Sequence, residues 1–86
     1  MVLLMSKIIT VEDCDKLKEM FEKYCDTAEQ FEFPLLTMIY VKLNNSIEDF
    51  HNADEVTDQK EARAMFRTVL KVIHADYSEY EEDESE

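Results

Sequence analysis

Glycine and tryptophan are absent from the 86 residues, and there is one proline, Pro34. Tight hairpin turns favour the missing residue and glycine-dependent phosphate loops need it, which argues against hairpin-rich β architecture and against P-loop or dinucleotide chemistry. Positive charge is scarce too: nine lysines and arginines face 21 aspartates and glutamates, a formal charge of −12. A chain this acidic repels phosphate, which argues against direct nucleic-acid binding. No apolar run approaches the roughly 18 residues of a membrane helix. The apolar Met1–Met5 lacks the basic flank and the length of a signal sequence. Met5-Ser6-Lys7 reads as an alternative start, so nothing rests on Met1–Leu4. Together these absences predict one small, soluble, cytoplasmic domain without a membrane partner.

What is present is helical periodicity. After Val11, apolar residues fall at Cys14, Leu17, Phe21, Tyr24, Ala28 and Phe31, alternating steps of three and four. Thr10 is a good N-cap, with Asp13 in the place of the capping-box acid and Ile9 placed to staple the first turn. This helix is predicted over 11–30, ending because Pro34 disfavours helical dihedrals at Phe33. Pro34 then opens a second helix over 34–51, in which Leu36, Ile39, Tyr40, Leu43, Ile47 and Phe50 keep helical spacing. Its apolar residues cover most of its circumference, which predicts a central helix or a self-associating one. A third helix is predicted over 57–75, with Ala62, Met65, Phe66, Val69 and Ile73 inward and Leu70 and Val72 widening the stripe.

The expected fold is therefore all-α, an antiparallel three-helix bundle over 10–76, with 1–9 as an N-terminal arm. From Tyr77 to Glu86 there are six carboxylates and no base, so 77–86 is expected to be a disordered acidic tail. Setting its six carboxylates aside leaves 15 against nine bases, so residues 1–76 still carry −6.

The most ordered functional feature is a row on the first helix: Glu12, Asp15, Glu19, Glu22, Asp26 and Glu29. Their spacing puts one carboxylate about every 5 Å, opposite the apolar stripe. That approaches the charge repeat of a nucleic-acid strand, so a basic groove built for DNA or RNA would accept the row as a substitute. The plain alternative is a solvated face, partly neutralised by Glu12 to Lys16 and Glu19 to Lys23 pairs at i,i+4. Glu79, Glu81, Glu82 and Asp83 of the tail would add to the attraction for a cationic partner. The third helix carries the opposite sign, with Lys60, Arg63, Arg67 and Lys71 along one side; these are candidates for an anion site or for pairing with acidic faces.

Metal and nucleophile patterns are incomplete. Glu48 and His51 form one Glu-x-x-His step, and an antiparallel hairpin would set His51 near Glu12 and Asp15, but His74 follows Lys71, so the second copy is missing. Cys14 and Cys25 are 11 residues apart on one helix, about 16 Å, and cannot form a disulfide there. Neither a metal, a cofactor nor a catalytic group is expected. Short, acidic, glycine-free and ending in a carboxylate run, the chain resembles in composition the small host-takeover proteins of bacteriophages, including nucleic-acid mimics. That resemblance implies a non-enzymatic inhibitor in the host cytoplasm whose partner is a basic, nucleic-acid-binding protein surface. The alternative expectation is a helical homo-oligomer that acts as an adaptor or binds a small anion through the third helix.

Overall fold

A computed structural model describes residues 8–80. They form an all-α three-helix bundle, with α1 at Val11–Thr27, α2 at Phe33–Ala53 and α3 at Gln59–Val72, and short 3₁₀ turns at Gln30–Glu32 and Ser78–Tyr80. The expected arm at 1–7 and the tail beyond Tyr80 lie outside the described residues.

Helix α1 starts where its capping box closes. The Asp13 amide donates to Thr10 Oγ1 at 3.1 Å and the Thr10 amide to Asp13 Oδ2 at 3.0 Å, which satisfies two donors that the helix leaves open. Its stripe of Cys14, Leu17 and Phe21 is fully buried, packed between α2 and α3. Pairing of Asp15 with His51 and of Glu22 with Tyr40 makes α1 and α2 antiparallel. Helix α3 runs alongside α1 in the same direction, because Ile9 meets Gln59 at one end and Tyr24 meets His74 at the other. Ile9 belongs to the core instead of a free arm: it is buried, and the Gln59 amide clips its backbone twice, donating to the Ile9 carbonyl at 2.7 Å and accepting its N–H at 2.9 Å.

The helix ends depart from expectation. α1 stops at Thr27, because Ala28 and Glu29 are extended, with ψ of 155° and 152°. The Tyr24 hydroxyl then donates to Glu32 at 2.6 Å and fastens the link to the helix it leaves. Phe33 is helical, with φ −55° and ψ −41°, despite preceding Pro34. Pro34 lies in the first turn of α2, where its missing amide hydrogen breaks no helical bond, and that placement outweighs the pre-proline preference for extended backbone at Phe33. Phe31, expected on the buried stripe, follows the break and is 81% exposed. α2 continues to Ala53 and α3 ends at Val72, and both close through the same turn. Asp54 and Glu55 donate to the carbonyls of His51 and Phe50, and His74 and Ala75 donate to those of Lys71 and Leu70. Such a turn needs a left-handed residue after the helix. With no glycine available, Asp54 and His74 take φ of 64° and 62°.

Helix α2 is not enclosed. Leu36, Leu43, Ile47 and Phe50 are buried, while Leu35, Met38 and Val41 face water, so the central helix is α1. α2 and α3 diverge on either side of it and leave a groove of about 210 Å³ that includes Ile39, Leu43, Met65 and Val69. The expected tail is ordered through Tyr80: the Tyr80 ring packs on Phe66 with centroids 4.8 Å apart.

Two substitutions test this account by urea unfolding. Asp54→Gly removes a left-handed penalty and raises stability by up to about 1 kcal/mol, whereas Phe21→Ala opens a core cavity and lowers it by about 3 to 5 kcal/mol.

Candidate functional site

The fold aims the acidic row outward. With Cys14, Leu17 and Phe21 held against α2 and α3, the opposite side of α1 can only face solvent, and Glu12, Asp15, Glu19, Glu22 and Asp26 are all exposed there. From Glu12 to Asp26 the row spans about 21 Å at 1.5 Å per residue. Glu29 is exposed but lies past the end of α1, so five of the six predicted anions share one rod.

Two of the five are tied to α2. Asp15 Oδ1 lies 2.9 Å from His51 Nε2, and Glu22 accepts the Tyr40 hydroxyl at 2.9 Å. Among the described residues no lysine or arginine lies within ion-pair distance of any member of the row, so the anticipated Glu12–Lys16 and Glu19–Lys23 pairs are not made. Lysines leave the row on both flanks. Lys18 Nζ reaches 6.0 Å from the Tyr40 ring, and Lys16 lines a cleft of about 220 Å³ between α1 and α3 with Leu17, Met20 and Phe66. Lys23 stays exposed at the border.

Beside the row, Glu22, Cys25, Asp26, Phe33, Leu36, Thr37 and Tyr40 line an open cleft of about 500 Å³. Carboxylates and aromatic rings thus share one concavity, a setting that attracts a cationic side chain through charge and through the ring faces. The sequence gives no sign of this cleft, because it arises only when the 28–32 link sets the start of α2 against the last turns of α1.

The remaining predicted groups are placed as follows. Glu79 is exposed within the C-terminal 3₁₀ turn, while Glu81, Glu82 and Asp83 lie outside the described residues. On α3, Lys60 is exposed and Arg63 half-buried. Arg67 donates to the Tyr80 carbonyl at 3.1 Å, and Lys71 Nζ stands 5.8 Å from the Tyr77 ring. Two of the four bases therefore hold the chain's own C-terminal segment. His51 does meet Asp15, yet Glu48 sits a turn away on α2, and among the described residues no group of three metal-ligating side chains is assembled.

Neither cysteine is poised as a nucleophile. Burial, reinforced by Asp13 and Asp15, pushes the Cys14 thiol up to about 11, and burial with Asp26, Glu22 and Glu32 also raises Cys25. Both stay protonated at neutral pH, the unreactive form. Tyr24 is likewise held above its ordinary value, because its hydroxyl donates to Glu32 and ionising it would lose that bond and oppose the carboxylate. Asp76 is lowered by hydrogen bonds from Ser78.

No known protein family, curated protein or solved structure matches the chain. Among the described residues no helix is long and apolar enough to cross a membrane.

The raised thiol has a stability consequence. Above pH 9.0 an unfolded Cys14 loses its proton while the folded one keeps it until about pH 11. Stability therefore falls as pH rises through that window, by up to about 2 to 3 kcal/mol. Thermal unfolding between these limits should show the slope, and Cys14→Ala, which has no thiol, should reduce it.

Proposed function

We propose that the chain is a non-enzymatic binding protein that lays the acidic face of α1 on a basic, nucleic-acid-binding surface of another macromolecule and excludes nucleic acid from it. One observation carries this reading: five exposed carboxylates stand along one straight helix, and none is neutralised by a lysine or arginine of the described chain. A surface charge row normally attracts counter-charges from its own helix, worth a few tenths of a kcal/mol per pair. Here the flanking lysines lean onto Tyr40 and into the α1/α3 cleft instead, so the negative field faces outward. The cleft at Glu22, Asp26, Phe33 and Tyr40 supports the same reading, since it suits an arginine of the partner better than a neutral group. The compositional resemblance to phage host-takeover proteins fits it as well.

Glu12, Glu19 and Asp26 make no contact that the fold depends on, which makes them the residues to reverse. Converting all three to lysine changes the face while the helix ends compensate, a loss in the first turn at Glu12 offsetting a gain in the last at Asp26. Partner capture from a cell lysate is expected to weaken by about a hundredfold or more, with the helical circular-dichroism signal unchanged. The captured protein should be released by excess duplex DNA and by salt. Capture that survives the reversal, or that DNA does not compete for, ends the proposal.

A further inference from the structure

The face of the molecule that the acidic row does not use has the opposite chemistry. Leu35, Met38 and Val41 recur at steps of three on α2 and are 53%, 70% and 53% exposed, and Phe31, in the 3₁₀ turn before α2, is 81% exposed. Together they leave on the order of 400 Å² of apolar surface in water, a size at which the largest patch of a monomer is often functional.

We propose that this face joins two copies of the chain, with α2 of one packed antiparallel on α2 of the other about a twofold axis at Met38. Charge selects the occupant. The chain carries −12, yet from Phe33 to Ile47 it has no carboxylate and a single cation, Lys42. A basic partner has nothing to hold on this stretch, whereas a second copy, which the acidic α1 face would repel, approaches here without opposition. The pattern is also self-complementary, as a twofold interface requires. With Met38 on the axis, Leu35 of one copy stands opposite Val41 of the other, and Pro34 opposite Lys42.

Direction follows from the same electrostatics. A parallel pair would bring Glu48 and Asp49 beside their own counterparts and align the two helix dipoles. The antiparallel pair separates these carboxylates from their own counterparts and opposes the two dipoles, while Glu29 and Glu32 at the end they approach keep the contact weak. The apolar area falls short of the roughly 800 Å² per partner of a standard interface, so the dimer is reversible. The α1 row is tied to α2 through Tyr40 and His51, and neither belongs to the face formed by Leu35, Met38 and Val41.

Sedimentation equilibrium of the full chain from about 10 to 500 µM tests the proposal. The average mass should climb from 10.2 kDa toward twice that value. Raising the salt from about 0.05 to 0.5 M should promote dimerisation, since screening weakens repulsion between two acidic chains. Met38→Glu should shift the midpoint at least about a hundredfold upward in concentration while leaving the dilute helical signal and thermal midpoint in place. A second measurement stands apart from that variant: in a Cys25→Ser background, Leu35→Cys and Val41→Cys chains should form a disulfide when mixed, and neither should do so efficiently alone. The proposal is overturned by a mass that stays at 10.2 kDa at both salts, by a dimer indifferent to Met38→Glu, or by Leu35→Cys pairing with itself as readily as with Val41→Cys.

Discussion

Burial of Cys14, Leu17 and Phe21 between two flanking helices is the constraint from which the other features follow. A helix that packs on two neighbours through one narrow stripe has no rotational freedom left, so each remaining side chain takes a fixed bearing. Every such residue removed from water contributes about 1.5 to 3 kcal/mol, enough to outweigh the mutual repulsion of anions gathered on the opposite side. The acidic face is thus a by-product of core packing in position, though not in composition. A helix of this length could carry lysines there equally well, and the choice of carboxylates is what gives the face its chemistry.

Because α1 takes the central place, α2 and α3 need not meet closely, and the apolar residues of α2 are more numerous than the core can take. Leu36 and Leu43 go inward while Leu35, Met38 and Val41 stay out. The two faces would therefore respond in opposite senses to ionic strength in the contacts proposed for them. Contacts through the carboxylate row would be weakened by salt, and contacts between two apolar α2 faces on like-charged chains would be strengthened by it. A twofold pair would also hold two acidic rows in fixed relation, so a partner with a repeated basic groove would gain from effective concentration without any new contact.

Much of this was legible in the sequence. The capping box at Thr10 and Asp13, the stripe at Cys14, Leu17 and Phe21 and the outward bearing of the carboxylates all follow from local rules of spacing and hydrogen bonding. The helix ends were not legible, and the reason is specific. C-terminal turns usually announce themselves by glycine, and here Asp54 and His74 adopt the left-handed conformation in its place. Nothing in the pattern marks Ala28 and Glu29 as extended, so the sixth anion and Phe31 were placed on a helix that had already ended. The Gln59 clip on Ile9 is equally silent, since a lone glutamine at the start of a helix carries no signal of a partner fifty residues away.

The first four residues of the acidic C-terminal run, 77–80, pack on α3, where the charge of the run as a whole led to an expectation of disorder. Composition alone condemns a run with six carboxylates to disorder, but composition weighs the whole run equally. Tyr77 and Tyr80 each meet a side chain of α3: the Tyr80 ring packs at a tilt against Phe66 and its carbonyl accepts from Arg67, and Tyr77 sits under Lys71. Two aromatic rings and one backbone acceptor suffice to fix four residues when the surface they land on is already ordered. The basic side of α3 is thereby drawn into holding the chain's own end, and that leaves the acidic face of α1 as the longest unneutralised charge pattern among the described residues.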